Sequence, residues 1–414
     1  MRLYIYCFVL SLFLLLNSTS VNSQPSGWIN KPSGTNSALY SVYFTSSSTG
    51  YTAGAGGIIR ATTDGGDYWY PLYSGTTYTI YDIRFVNQST GWITGAGGVI
   101  RRTTNAGVNW TAQTSGTLWS IYSCYFRNAN TGWVAGYGGI ILKTTNSGVN
   151  WIAQTSGTFD DINSINFSTD SVGWCTGYNG LVLGTTNGGI NWSNYAGLGA
   201  TMNAIQFVTS LKGWAVGLSG AIFTTTDGGA VWSPQASGTA NAFYGTYFLP
   251  SPPTSYFGWS VGNTGTIKYT SNAGVNWVTQ LSYSSQQLRD VFFINSLTGW
   301  TVGLNGVILK SISGGLVSAE NISSEIPAGF NLEQNFPNPF NPVTTIAFAI
   351  PKASNVKLEV FNSSGKVIDV LLNGNLQPGT YKTNWDASNF SSGVYFYKIS
   401  AEDFSETRKM LLIK

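Results

Sequence analysis

Aspartates are the side chains best suited to chemistry in the first three quarters of this 414-residue chain. The chain has no histidine, and its first glutamate is Glu320. Ser-His-Asp and Cys-His catalysis and His-ligated zinc are therefore excluded. Asp160 and Asp161 stand side by side in TFDDINS (158–164), and two carboxylates about 5–10 Å apart can cleave a glycosidic bond. They are our candidate catalytic residues, although adjacent loop carboxylates are more often simply solvated. A calcium site there remains an alternative to our assignment of no metal and no cofactor.

Composition indicates a globular protein rich in turns. Hydrophobic residues make up 43% of the chain and charged residues 9%, and there are 50 glycines. Between residues 24 and 316, 11 basic residues and 8 aspartates leave a charge of +3, without the concentrated basic stripe that binds nucleic acid. Cys124 and Cys175 fall at apolar strand positions. We expect buried free thiols, with a single disulfide bridge as the alternative.

The N-terminal segment has the layout of a secretory signal. Arg2 precedes an apolar run from Leu3 to Leu16, and small or polar residues then lead to Ser23. A membrane anchor would need about 20 apolar residues, more than this run offers. We therefore expect residues 1–23 to be a signal peptide, and we predict no transmembrane anchor in the rest of the chain.

Internal repeats decide the predicted fold. Tryptophans recur about every 41 residues, at Trp28, Trp69, Trp110, Trp151, Trp192, Trp232 and Trp277. Gly-Trp or Gly-Tyr pairs follow the same period and begin at Gly50, Gly91, Gly132, Gly173, Gly213, Gly258 and Gly299. One unit, residues 120–155, contains four short segments with strand patterning, separated by turn residues. A period near 40 with four strands per unit is typical of a propeller blade.

A turn of the form TTNSGVNW ends each complete unit. An Asp or Asn begins it, a glycine follows two positions on, and a tryptophan closes it. The Asp or Asn can hydrogen-bond its own turn backbone, and the glycine can adopt a positive φ. We therefore predict structural turn residues, not general acids, at Asp64, Asn105, Asn146, Asn187, Asp227 and Asn272.

The last copy of this turn, LKSISGGLVSAEN (309–321), lacks its tryptophan. Seven Gly-Trp/Tyr strands need seven tryptophan strands as partners, and the missing one occurs at Trp28, before the first complete unit. We expect the N-terminal strand to complete the last blade, which leaves no open sheet edge. This predicts a seven-bladed β-propeller over residues 24–316. Its one long insertion, FLPSPPTSYFGW (248–259), is an exposed candidate for a partner contact.

The hairpins resemble the Asp-box, a structural motif of several propeller families. The whole repeat resembles the photosystem II stability and assembly factor family, with its Gly-Trp strand and T-x-DGG-x-x-W hairpin, here TTDGGDYW (62–69) and TTDGGAVW (225–232). This resemblance implies a scaffold that binds protein partners and not an enzyme. Sialidases also carry Asp-boxes, but their Tyr-Glu nucleophile pair has no counterpart in a propeller without glutamate.

A second domain follows a polar linker (317–329). Residues 330–414 read as the strands of a small Ig-like β-sandwich, so the predicted fold class is all-β. NFPNPFNP (335–342), SGVYFY (392–397) and the end from Arg408 to Lys414 resemble the C-terminal sorting domain of the type IX (Por) secretion system. The resemblance implies export by that machinery. The sorting-signal residues that it selects are Asn335, Pro337, Asn338, Pro339, Gly393, Lys409 and Lys414.

Two main hypotheses for function remain. The first is a non-enzymatic binding scaffold, secreted or on the outer cell surface of a Gram-negative bacterium, whose propeller binds an unknown protein or glycan. The second is a secreted carbohydrate-active hydrolase that uses Asp160 or Asp161. A purely structural cell-surface protein is a third alternative.

Overall fold

The computed structural model describes residues 27–195, 197–249, 256–282, 284–315, 320–323, 325–376, 378–387 and 390–414. The predicted signal peptide and all three prolines of the 248–259 insertion lie outside the described residues. Over the described ranges the protein is all-β, with 36 strands, seven one-turn 3-10 helices and no α-helix.

Between residues 39 and 280 the strands form six antiparallel four-stranded sheets, each from consecutive strands. They are β2 Leu39–Phe44, β3 Gly50–Gly54, β4 Ile59–Thr62, β5 Tyr70–Leu72; β6 Ile80–Phe85, β7 Gly91–Gly95, β8 Ile100–Thr103, β9 Thr111–Gln113; β10 Ile121–Phe126, β11 Gly132–Gly136, β12 Ile141–Thr144, β13 Ile152–Gln154; β14 Ile162–Phe167, β15 Gly173–Gly177, β16 Val182–Thr185, β17 Ser193–Asn194; β18 Met202–Phe207, β19 Gly213–Gly217, β20 Ile222–Thr225, β21 Ser233–Pro234; and β22 Phe243–Phe248, β23 Gly258–Gly262, β24 Ile267–Thr270, β25 Val278–Gln280.

The seventh sheet combines the two ends of this region. β26 Leu288–Phe293, β27 Gly299–Gly303 and β28 Ile308–Gly315 are joined by β1 Gly27–Lys31, which pairs antiparallel with β28. Trp28 lies edge-on to Phe293 at 5.6 Å between ring centroids, as Trp69 lies to Phe44 at 5.9 Å within the first sheet. The N-terminal tryptophan thus occupies in the seventh sheet the place that hairpin tryptophans occupy in the others.

Aromatic stacking joins neighbouring sheets. Trp92 of the second sheet stacks on Phe126 of the third at 3.7 Å, and the same contact recurs around the propeller. Trp300 of the seventh sheet stacks in this way on Phe44 of the first, at 3.4 Å. Such pairs stabilise by about 0.5–1.5 kcal/mol beyond their burial. The seventh sheet is therefore packed against the first by the contact that joins the others.

The two edges of the sheets are built differently. At one edge, the loops that enter each sheet lie against its 3-10 turn, as where the Ala55 amide donates to the Ala38 carbonyl at 2.9 Å. At the other edge lie the glycine hairpins, as where the Gly65 amide donates to the Ser48 carbonyl at 2.8 Å. We call these the loop face and the hairpin face.

Two further four-stranded sheets form the C-terminal domain. Their orders are β29-β34-β31-β30 and β33-β32-β35-β36. The strands are β29 Glu320–Ser323, β30 Asn331–Leu332, β31 Val343–Ile350, β32 Ser354–Asn362, β33 Val367–Leu376, β34 Gly379–Asp386, β35 Gly393–Ala401 and β36 Phe404–Leu412. Both sheets contribute to one buried core that includes Phe348, Leu358 and Tyr397. Strand β29 falls inside the segment predicted as a linker. Its residues are polar, but they pair through the backbone with β34.

Candidate functional site

The predicted turn residues on the hairpin face bond to their own turns. Thr62 Oγ1 donates to Asp64 Oδ1 at 2.8 Å, and the same oxygen accepts the amides of Asp67 and Tyr68 at 3.0 Å. The amide of Tyr68 and the hydroxyl of Thr62 hold the pKa of Asp64 below its usual value. The asparagines make equivalent bonds, as where Asn146 Oδ1 accepts the Asn150 amide at 2.9 Å. An amide does this as well as a carboxylate, which explains why both residue types occur.

Asp160 and Asp161 lie on the loop face and bond to different turns. Asp161 Oδ1 accepts the amide of Gly138 at 2.8 Å, and its Oδ2 accepts the hydroxyl of Tyr122 at 3.3 Å. Asp160 Oδ1 accepts the side-chain amide of Asn179 at 2.9 Å. Burial is the larger cause and the Asp161 charge the second cause of a raised pKa of Tyr122. The Tyr122 hydroxyl therefore stays protonated and donates to Asp161. The two carboxylates therefore fasten one entry loop to two different 3-10 turns.

Exposed aromatic and aliphatic side chains surround these aspartates. They occupy the entry loops of the second to fourth sheets and the adjacent 3-10 turns. We call them the loop-face sector: Tyr78, Leu118, Trp119, Tyr137, Phe159 and Tyr178. Leu118 and Phe159 are the most exposed, at 87% and 93%. Trp119 packs edge-on against Tyr137, with ring centroids 5.8 Å apart.

The entry-loop positions of Leu118 and Trp119 are polar or small in the first, fifth, sixth and seventh sheets, whereas the 3-10 position of Tyr137 holds Leu218 and Leu304 in the fifth and seventh sheets. Trp119 corresponds to Ser37, Asn241 and Gln286 in the first, sixth and seventh entry loops, and Tyr137 corresponds to Ala55 in the first 3-10 turn. Every sheet folds with its own version of these loops. The sector is therefore not required by the architecture, and this departure from the repeat is the signal that sequence reasoning did not use.

The centre of the propeller contains a polar cavity of about 290 Å³. Arg84 lies in it and pairs with Asp82, with 3.1 Å between Nε and Oδ1. Asp82 accepts the amide of Cys124 on the next sheet, and Asp290 accepts the amide of Val42 across the seventh and first sheets. Burial raises the pKa of Asp290 to about 6. These central carboxylates thus join neighbouring sheets, a role that the sequence analysis missed.

Cys124 and Cys175 are buried free thiols, as expected. Over the residues that the structure describes, no three His, Cys, Asp or Glu side chains are grouped as metal ligands. Within the same residues, no helix is long and apolar enough to cross a membrane.

The structure brings most of the predicted sorting residues together in the C-terminal domain. Asn338 Oδ1 accepts the amide of Leu411 in β36 at 2.9 Å. Gly393, in β35, pairs with Leu412, the next residue of β36. The Lys414 amide donates to Ser392 Oγ at 3.0 Å. A motif near residue 338 and the chain end, more than 70 residues apart, therefore share one surface with the turn at Gly393.

Asn335 has a different position, because its side chain is buried. Its Nδ2 donates to the Pro337 carbonyl at 3.0 Å and to Thr344 Oγ1 at 2.8 Å, and its own amide donates to the Tyr397 hydroxyl at 2.7 Å. Pro337 and Pro339 follow in the turn that this asparagine holds. Asn335 thus shapes the motif from within, and Thr344 and Tyr397 are partners that the sequence did not single out.

Comparisons with known proteins agree with both domains. The family model of the Photosynthesis system II assembly factor YCF48 matches residues 21–118, 73–156 and 116–198. The model of the Secretion system C-terminal sorting domain matches residues 334–414. A search of curated protein sequences returns no significant match.

Three solved propellers are similar in structure. YCF48 bound to D1 peptide is 18% identical over 70% of this chain and 96% of that chain, with a TM-score of 0.59. YCF48 from Cyanidioschyzon merolae is 20% identical over 69% of this chain and 98% of that chain, with a TM-score of 0.58. The WD40 β-propeller domain of Doa1 is 12% identical over 69% and 95%, with a TM-score of 0.57. At these identities the similarity shows the fold alone.

The chain therefore combines a propeller that resembles the YCF48 family with a C-terminal sorting domain that indicates export by type IX secretion.

Proposed function

We propose that this protein is a non-enzymatic binding scaffold, exported to the medium or to the outer cell surface of a Gram-negative bacterium. In this proposal residues 1–23 are a signal peptide, residues 24–316 form a seven-bladed Asp-box propeller closed by its N-terminal strand, and residues 330–414 form an Ig-like sandwich read by the type IX machinery. The pairing of β1 with β28 and the contact between Trp300 and Phe44 support a closed ring of seven sheets.

The loop-face sector is the observation that carries the proposal. Its rings and aliphatic side chains are 49–93% exposed, although burial of an apolar side chain is normally favourable. Aromatic side chains are also the ones that most often anchor protein interfaces and stack on sugar rings. An exposed cluster in one part of an otherwise repeated surface therefore fits a protein or glycan partner.

Catalysis by the nearby aspartates fits the structure less well. Asp160 and Asp161 each hold a neighbouring turn by hydrogen bonds of 2.8–2.9 Å. Glycosidic cleavage needs two carboxyl groups that flank one scissile bond, whereas these two carboxylates bond to two different 3-10 turns. Asp160 and Asp161 are instead engaged in positioning the loops that carry the sector.

Crosslinking to the native cell surface and medium tests the proposal. The protein without its C-terminal sorting domain is compared with the Leu118→Ser/Phe159→Ser variant and with a Val108→Ser/Val149→Ser control, which changes residues on the hairpin face that are 64% and 73% exposed. We expect one enriched protein or glycan that the sector variant loses and the control keeps. Enrichment of nothing, or an equal loss in both variants, would contradict the binding proposal.

A further inference from the structure

Phe336 differs from its neighbours in the NFPNPFNP motif because its ring is exposed. Asn335 and Phe340 are each only 2% exposed and belong to the interior of the C-terminal domain. Phe336, between them, is 81% exposed. A phenylalanine ring left in water contributes nothing to folding by burial, so the ring is available for a contact outside the domain.

The backbone of Phe336 is held on both sides. Its amide and carbonyl exchange two hydrogen bonds of 2.9 Å with Thr345. The residue before Phe336, Asn335, is fixed by its buried side-chain amide, which donates to Thr344 Oγ1. Asn338 Oδ1 accepts the Leu411 amide and so holds the following turn against the last strand. The backbone that carries the exposed ring is therefore held at a defined position, with little backbone entropy left to lose on binding.

We propose that Phe336 is the docking residue of the sorting domain and inserts into an apolar pocket of the export machinery protein that captures it. The surroundings agree with such a contact. Gln334 Nε2 donates to the carbonyl of Lys409 at 2.9 Å, which places the start of the motif beside the last strand. Lys409 is exposed, and Ile413 is 50% exposed. The motif thus lies beside the last strand, and the exposed ring itself specifies an apolar pocket in the partner.

Export of the full-length precursor in a host with a type IX system tests this inference. The Phe336→Ala variant is compared with Asn335→Ala and with Ile326→Ala, a 72% exposed residue outside the matched domain. The mature protein outside the cell and the unprocessed precursor inside are quantified by immunoblot, and the melting temperature of each purified precursor is measured.

We expect Phe336→Ala to reduce export about tenfold or more, as loss of an interface hot spot does, at an unchanged melting temperature. Asn335→Ala should lower both export and the melting temperature, and Ile326→Ala neither. Normal export of Phe336→Ala overturns the inference, and so does a melting temperature lowered as far as in Asn335→Ala, since the ring would then be structural. None of these results depends on what the propeller binds.

Discussion

The hairpin face and the loop face of the propeller use the repeat in opposite ways. On the hairpin face, exposed apolar residues recur at one position in most blades, at Val108, Val149, Ile190 and Val275. On the loop face, the exposed aromatic residues of the described part of the chain all lie between Tyr73 and Tyr178. A side chain that recurs at one position of the repeat belongs to the shared architecture, whereas side chains confined to one sector need another explanation. Comparing the repeats with one another therefore separates the architecture from the proposed binding surface.

The largest effect should come from the shared architecture, at Trp28. This side chain is 3% exposed, packs on Phe293 and donates to Gln280 Oε1 at 2.9 Å. Replacing a buried tryptophan with alanine costs about 3–5 kcal/mol of unfolding free energy. We expect a loss of this size in Trp28→Ala by urea unfolding, against a small change in Ile29→Ala, which alters a 46% exposed neighbour on the same strand. Equal stability of the two variants would refute closure by the N-terminal strand.

Asp290 is a position at which the blades differ, because the first blade has a serine, Ser41, at the same place in the repeat. Burial raises the pKa of Asp290 from 3.8 to about 6. The folded protein therefore keeps this proton to a higher pH than the unfolded chain does. The stability that this group contributes is full below about pH 4 and is lost as the pH rises to about 6.

Asp290→Asn should remove this pH dependence and still accept the Val42 amide. We expect the variant to match the wild type at pH 4 and to exceed its unfolding free energy by up to about 3 kcal/mol at pH 7. Urea unfolding at several pH values measures the difference. Parallel stability curves for the two proteins would show that Asp290 does not titrate as its burial implies.

The hairpin turns should give a moderate effect. Asn146→Ala removes the acceptor for the Asn150 amide, and loss of a comparable side-chain cap costs about 1 kcal/mol. Asn146→Asp should cost much less, because Asp64 and Asp227 make the same bonds. Thermal unfolding of both variants measures this. If the aspartate variant is as unstable as the alanine variant, the turn residues are not interchangeable.

The smallest effect should come from the pair once considered for catalysis. Asp160→Asn combined with Asp161→Asn keeps an acceptor oxygen at each position, so we expect a change of about 0.5 kcal/mol or less in unfolding free energy. Polysaccharide hydrolysis, assayed with both proteins, should be absent in each. Turnover by the wild type that the double variant loses would restore the hydrolase hypothesis.

Regularity made much of the fold predictable from sequence. The tryptophan spacing indicated four-stranded units, and the unpaired Trp28 indicated that the first strand joins the last hairpin strand. The resemblance of the NFPNPFNP motif to a sorting domain agrees with the family match over residues 334–414. Strand β29 was missed, because an edge strand that pairs through its backbone needs no apolar alternation.

The site was less predictable, for a physical reason. Aspartates were selected by their chemistry, but Asp161 is committed to Gly138 and Tyr122 through contacts between blades that spacing alone does not reveal. The exposure of Leu118 and Phe159 depends on whether a neighbouring loop covers them, and the exposure of Phe336 depends on a turn held by Thr344 and Tyr397. Each requires the tertiary structure.

Hydrogen–deuterium exchange of the propeller, with and without an extract of the native cell surface, tests the central claim most directly. We predict slower exchange in the entry loops at residues 115–122 and 156–163 when the extract is present, and no change in the hairpins at residues 103–110 and 144–151. Protection confined to the hairpins, or no protection anywhere, would contradict the assignment of binding to the loop face.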